Sequence, residues 1–165
     1  MSTASTYVLE RTFDAPRELV WRTFTEAELL SHWYGPGVET IIHELDVRPG
    51  GLWLNEMKWG ENSHYQRVEY TEVTAPEKLV WLHSTADANW NVADNPMMPG
   101  WPRVLLTVVT FEEADGKTEM RLTWEPHDAT AEEIAVFQGA IAGLDQGWGK
   151  GMEMLAEMLA EMQSG

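Results

Sequence analysis

The chain contains no cysteine. That excludes disulfides, thiolate nucleophiles and thiolate metal sites together. Basic residues are also scarce: 11 Lys and Arg stand against 27 Asp and Glu, for a formal net charge of -16. Nucleic acids and anionic membrane surfaces are both recognised through a basic footprint, so neither is an expected partner. The acid excess reads as a solvated surface that keeps the protein soluble. No apolar run approaches the ~20 residues of a membrane span. The short run Tyr7-Val8-Leu9 is followed by charge, unlike the apolar core of a signal peptide. A cytoplasmic setting is expected. His32, His43, His64, His83 and His127 include no close-spaced pair, so no metal site is expected. A Gly-x-Ser-x-Gly elbow and a phosphate-binding glycine loop are missing too, and no cofactor is expected.

What the chain has instead is large, adaptable side chains: nine tryptophans and nine methionines in 165 residues. These suit a roomy interior better than a small, tightly filled core. The length fits one domain, spanning residues 1–165. Tyr7 to Phe13 alternates apolar and polar as a strand does. Asp14-Ala15-Pro16 then opens a helix, with Asp14 as its expected cap. A second short helix runs from Glu26 to about Trp33 and stops at Gly35-Pro36-Gly37. From Val38 the period is two. Segments 38–47 and 52–59 flank the turn Arg48-Pro49-Gly50-Gly51, and 64–74 and 78–84 flank Ala75-Pro76-Glu77. Segments 104–111 and 118–125 form a last hairpin around Glu113-Ala114-Asp115-Gly116. The intervening loop, 86–102, is longer than most connections, and Met97-Met98-Pro99 would suit a lid.

Beyond Asp128, the expected cap, Ile134, Phe137, Ile141, Leu144, Trp148, Met152, Leu155 and Leu159 recur at helical spacing. Gly139, Gly143, Gly147, Gly149 and Gly151 interrupt this helix, each costing up to ~1 kcal/mol against alanine. They suggest close backbone approach or bending around a sheet. The expected fold class is α+β: a helix-grip fold, with a curved antiparallel sheet of six to seven strands wrapped on one long C-terminal helix. Two short helices follow the first strand.

The motifs Phe13-Asp14-Ala15-Pro16, Val20-Trp21, His32-Trp33-Tyr34-Gly35-Pro36, Asp46-Val47-Arg48-Pro49-Gly50-Gly51, Ala75-Pro76-Glu77-Lys78-Leu79-Val80, Trp124-Glu125-Pro126 and Gln146-Gly147-Trp148 occur in this order. In that order the chain resembles the SRPBCC superfamily, which includes the steroidogenic-acute-regulatory-related (START-like) lipid transfer domains and the major birch-pollen allergen. It is most similar to the branch named for activators of the heat-shock protein ATPase (AHSA-type). The resemblance implies the helix-grip fold; its members bind lipids, cyclise polyketides, hydrolyse, or act as co-chaperones. Bacterial relatives often carry a histidine-aspartate pair on the long helix, one turn after the position of Phe137. Here those positions resemble Ile141 and Ala142, so chemistry built on that pair does not carry over.

Strand parity gives a lining. Trp53, Asn55 and Met57 share a face, as do Leu79, Trp81 and His83, then Leu105, Thr107, Val109 and Phe111, then Met120, Leu122 and Trp124. These face Phe137, Ile141, Leu144 and Trp148, with Trp33 and Tyr34 at the mouth beside the loop from Trp90 to Trp101. Such a lining is mostly apolar with a few polar points, as in small-molecule sites. The expected ligand contacts are Trp33, Tyr34, Trp53, Asn55, Met57, Trp81, His83, Thr107, Trp124, Phe137, Ile141 and Trp148. Three functions remain open: a binding module for a hydrophobic or aromatic molecule, monomeric or homodimeric; a cofactor-free cavity enzyme; and a co-chaperone-like interaction domain. The enzyme reading needs His83, or an inward Glu69, as acid or base. His43 and Glu44 fall on opposite faces of one strand and make no pair.

Overall fold

The computed structural model describes residues 6–35, 38–95 and 98–164. The elements run β1 (Tyr7–Phe13), α1 (Arg17–Thr25), α2 (Ala27–Trp33), β2 (Glu39–Leu45), β3 (Leu52–Trp59), β4 (Asn62–Thr74), β5 (Lys78–Ala86), β6 (Val104–Ala114), β7 (Lys117–Pro126) and α3 (Ala131–Ser164). All seven strands form one antiparallel sheet in the order β1-β7-β6-β5-β4-β3-β2. The α1-α2 insert carries the chain from one edge strand, β1, to the other, β2. This is the helix-grip α+β fold.

Turn chemistry accounts for several corners. Asp115 and Gly116 both have positive φ, so β6 and β7 are joined by a two-residue turn, tighter than the expected four. At the β2-β3 corner a Cβ on Gly51 would lie 2.0 Å from the Asp46 carbonyl oxygen, which only glycine avoids. Cap assignments differ from expectation at both helices named above. Pro16, extended at φ -67 and ψ 150, is the N-cap of α1, and the Asp14 carbonyl instead accepts a bond from Gln163 Nε2 at 2.9 Å. On α3, Asp128 sits at φ 49, while Thr130 and Glu133 form a reciprocal capping box. The Glu133 amide donates to Thr130 Oγ1 at 3.1 Å, and the Thr130 amide donates to Glu133 Oε1 at 2.9 Å.

Cross-strand register sets the concave face. Tyr70, Trp81, Thr107, Trp124 and Tyr7 form one row, and Trp53, Val68, His83 and Leu105 form the next. The insert packs one end of this face: Phe24 meets Trp33 at 4.8 Å and Phe111 at 5.2 Å between ring centroids. Trp33 is fixed by its Nε1 donating to the Thr23 carbonyl at 2.9 Å. A bulge after Ile42 leaves both His43 and Glu44 exposed, and His43 lies 2.9 Å from Glu56 on β3.

Helix α3 is anchored at two places. Phe137 is fully buried near its start, and Gly151, Met152, Leu155, Met158 and Leu159 are buried in its second half. Between them Ile141, Leu144 and Trp148 are only half-buried. The span from 137 to 151 covers about 21 Å of helix axis. The glycines here do not serve close approach as expected: a Cβ on Gly139, Gly143 or Gly147 would meet nothing within 4 Å. Gly151 alone among them sits against the Trp33 backbone and ring, at 3.5 and 3.6 Å. Among the described residues no helix is long and apolar enough to cross a membrane.

Candidate functional site

The unfilled helix span overlies a cavity. Its volume is near 310 Å³, and Trp33, Tyr34, Gly35, Met57, Trp124, Gly143, Leu144, Gly147, Trp148 and Gly151 line it. The volume lies at the lower end of small-molecule sites, about 300–1,000 Å³. Its geometry follows from helix periodicity. Gly143, Gly147 and Gly151 are spaced by four residues, so they fall on one face of α3 and present backbone where side chains would otherwise fill the space. Tyr34, leaving α2, faces Trp148 at 6.0 Å and Trp53 at 4.9 Å. Trp148 meets Trp124 edge-on at 5.6 Å and 90°. The Tyr34 hydroxyl donates to Gln66 Oε1 at 3.2 Å, and burial raises its pKa further above its ordinary value. It stays a neutral donor. On the far side of α3 the Tyr7 hydroxyl donates to Asp145, tying β1 to the spanning stretch.

Of the expected contact residues, Trp33, Tyr34, Met57, Trp124 and Trp148 lie on the cavity wall. Trp53, Asn55, Trp81, His83, Thr107 and Phe137 point to the concave face and are buried behind that wall. Ile141 packs half-buried on the core beside it. Leu144, expected to face the sheet, is also on the wall; the wall residues absent from the expected lining are Gly35 and the glycines of α3. The four-residue spacing of those glycines is the available signal; the expected close backbone approach occurs at Gly151, against Trp33, whereas Gly143 and Gly147 face open space.

Among the described residues, none of the loop expected at the mouth lines it. Trp90 turns outward onto His43 and Tyr65, both at 5.3 Å, and Trp101 is buried against Phe137 at 5.4 Å. Arg103 pairs with Asp94 at 2.7 Å. Of the expected lid Met97-Met98-Pro99, Met97 lies outside the described residues, as do Pro36 and Gly37 of the helix-stopping turn.

Glu69 faces outward rather than in. It is opposite Leu52 and Leu82 on the convex row and lies 3.8 Å from Arg67. One-residue parity separates it from Val68 and Tyr70, which are buried. His83 does point inward, 7% exposed and 5.3 Å from Trp124. Burial, with His64 adding a smaller repulsion, lowers its pKa to about 3, not the near-neutral value expected of a general base. Folded His83 therefore stays neutral while an unfolded histidine protonates below its ordinary 6.5. The folded state binds fewer protons, so stability falls as pH drops through the window from 6.5 to about 3. Between pH 7.5 and pH 5 the loss attributable to His83 is ~2 kcal/mol. Urea denaturation of wild type and His83→Gln at both pH values measures it. The variant should lose most of the acid sensitivity, with His64, also lowered by burial, retaining a remainder.

The family model described as "Activator of Hsp90 ATPase homolog 1-like protein" matches residues 14–160. A search of curated protein sequences returns no match. Among solved structures, protein NE0264 from Nitrosomonas europaea is 25% identical, with a TM-score of 0.75 and 98% of each chain covered. Protein Ms6760 from Mycobacterium smegmatis is 24% identical at TM-score 0.76, covering 94% of this chain and 90% of that one. A protein from Arthrobacter aurescens is 21% identical at TM-score 0.80, covering 96% and 87%. The latter two likenesses speak to fold alone. With nearly the whole helix-grip fold inside the matched segment, the chain belongs to the family of Activator of Hsp90 ATPase homolog 1-like proteins, within the SRPBCC superfamily.

Proposed function

We propose that the protein is a binding module for a small, flat hydrophobic or aromatic molecule held between the sheet and α3. The observation that supports this reading is a cavity near 310 Å³ with three tryptophans and a tyrosine as walls and a side-chain-free face of α3 beside it. An aromatic guest stacks edge-on or offset against such walls and gains apolar burial there. An enzymatic role has less support, because Glu69 is turned away and His83 is held neutral behind the wall. A protein-partner role rests on the family description alone.

Titration with a neutral naphthalene probe, followed by tryptophan fluorescence, tests the proposal. Saturable quenching at one site per chain is expected, with native mass spectrometry giving the same stoichiometry. Linear, non-saturating quenching on a well-folded sample would sink it, and a pull-down for a protein partner would then be the next experiment.

A further inference from the structure

The convex face of the sheet is apolar at its centre. Register arranges that face in rows running from β1 towards β3. One row reads Val8, Thr123, Val108, Val80 and Glu72, and the next reads Glu125, Leu106, Leu82, Glu69 and Leu52. The row before them holds Glu10, Arg121, Thr110 and Lys78, and the row after them holds Val104, Ser84, Arg67 and Leu54. The buried core and the helices packed on it occupy the opposite, concave face. Val80, Leu82, Leu106 and Val108 therefore form one aliphatic block on the outside of β5 and β6, each of them half-buried. Val8, near the edge, is 42% exposed. The solvated face of an antiparallel sheet is ordinarily polar, and a contiguous apolar patch rimmed by charge marks an interaction site.

Charge selects the occupant. At -16, most of the surface repels a second copy of the chain. The frame of this block is the exception, because Arg67, Lys78 and Arg121 balance Glu69, Glu72 and Glu125 there. Their order matters more than their sum. Across the rows β7 reads Arg121, Thr123, Glu125, from positive to negative; in the same direction β4 reads Glu72, Glu69, Arg67, from negative to positive. These two strands are placed equally on either side of the midline between β6 and β5. A two-fold axis along that midline lays β7 of one copy over β4 of the other. Arg121 then comes within one row of Glu72 of the second copy, and Glu125 within one row of its Arg67. Leu106 and Val108 cover its Leu82 and Val80. Val8, two strands beyond the midline, meets Leu52 at the corresponding place on β3. The contacts these charges make within one chain are long and exposed, at 3.6 Å for Lys78–Glu72 and 3.7 Å for Arg121–Glu10, so they compete weakly.

We propose that the protein forms a two-fold homodimer through the convex faces of its sheets, with the axis between β5 and β6. From β1 to β3 the matched face is about 24 Å wide and its four rows are about 20 Å long, which with side-chain width approaches the ~800 Å² per partner of a stable interface. The cavities lie on the far side of each sheet and face away from one another.

Sedimentation velocity from about 1 to 200 μM tests it, with a reversible monomer–dimer equilibrium expected. Arg121→Glu and Glu72→Arg each bring like charges together twice per dimer, and each should weaken self-association about tenfold. An equimolar mixture of the two variants should regain wild-type association, because both contacts of the mixed dimer are again opposite in sign. Mixing cannot repair a folding defect, so recovery reads the contact itself. Leu82→Lys sets a charge in the centre of the block and should leave a monomer whose probe titration is unchanged. The charge exchange does not depend on how Leu82→Lys folds. A wild type that stays monomeric throughout overturns the proposal and leaves the face to a different protein or to solvent. A dimer that survives Leu82→Lys overturns it too, since the contact then lies elsewhere. Weakened variants that mixing fails to rescue overturn the two-fold alignment on which it is built.

Discussion

Gly143→Leu/Gly147→Leu should abolish saturable probe binding while making the protein more stable, not less. The two effects have one origin. Both glycines are exposed, both lie mid-helix, and a Cβ on either would meet nothing within 4 Å. Replacing an interior helix glycine by a strong helix former gains about 0.8 kcal/mol in propensity, so the pair gains about 1.5 kcal/mol. For a domain of this size that raises Tm by about 5 °C. The leucine side chains would lie in the space between α3 and the wall formed by Tyr34, Gly35 and Met57, closing a cavity of about 310 Å³. An affinity loss of a hundredfold or more is expected, read by the same fluorescence titration. Gly139 supplies the control. It is equally open but absent from the wall, so Gly139→Ala should add about 1 kcal/mol and leave the titration unchanged. Retained binding in the leucine pair would mean that the cavity is not the site. A loss of stability would mean that the helix needs those positions bare for packing.

That three glycines, Gly139, Gly143 and Gly147, cost this helix stability and return no packing is itself informative. Proteins commonly tolerate local instability where function needs space or motion. The sequence displays the stripe openly, at a spacing of four, yet its meaning was not legible there. A glycine on a helix face indicates either that a neighbour comes very close or that nothing is near. Only the positions of Trp33 and Tyr34 decide between these, and they decide it differently along one stripe. Gly151 touches Trp33, whereas Gly147, one turn earlier, touches nothing.

Elsewhere legibility followed the strength of local signals. Alternation in β5 and β7 assigned Trp81, His83, Leu122 and Trp124 inward, because those strands are regular across the face that matters. Glu69 could not be assigned from sequence, since β4 carries apolar and polar residues on both parities and a bulge after Tyr70. Trp90 and Trp101 illustrate a different limit. Both lie in the same aromatic loop, but one covers the outer side of the sheet and the other fills the core. A loop has no period from which to read direction. Likewise the cross-strand row of Tyr70, Trp81, Thr107 and Trp124 is invisible until register aligns strands β4 to β7, whose row members lie more than fifty positions apart from first to last.

Phe137→Ala should cost about 3–5 kcal/mol, the largest single destabilisation expected outside the turns. Phe137 is fully buried and lies between Trp101 at 5.4 Å and Trp124 at 6.5 Å. Its ring therefore joins three things: the start of α3, the end of the long loop, and the central row of the sheet. Truncation leaves a void that two tryptophans and a capped helix end cannot readily fill. With total stability of about 5–15 kcal/mol for natural domains, the variant should fold marginally at 25 °C. Urea denaturation gives the free energy, and the native emission spectrum gives the location. Trp101 should gain water and shift the emission to the red, and proteolysis in the 87–95 segment should accelerate. Phe137→Leu, which keeps most of the volume, should cost about 1 kcal/mol and preserve the spectrum. The consequence for binding follows from the anchoring of α3. The helix crosses the cavity held at Phe137 on one side and from Gly151 onward on the other, so losing the first anchor frees the stretch that carries Leu144 and Trp148. Re-ordering that stretch around a ligand would consume binding energy, and probe affinity should fall even in molecules that remain folded. A cost below 1 kcal/mol would show that α3 is held from its C-terminal half alone, with its first turns free to swing over the cavity.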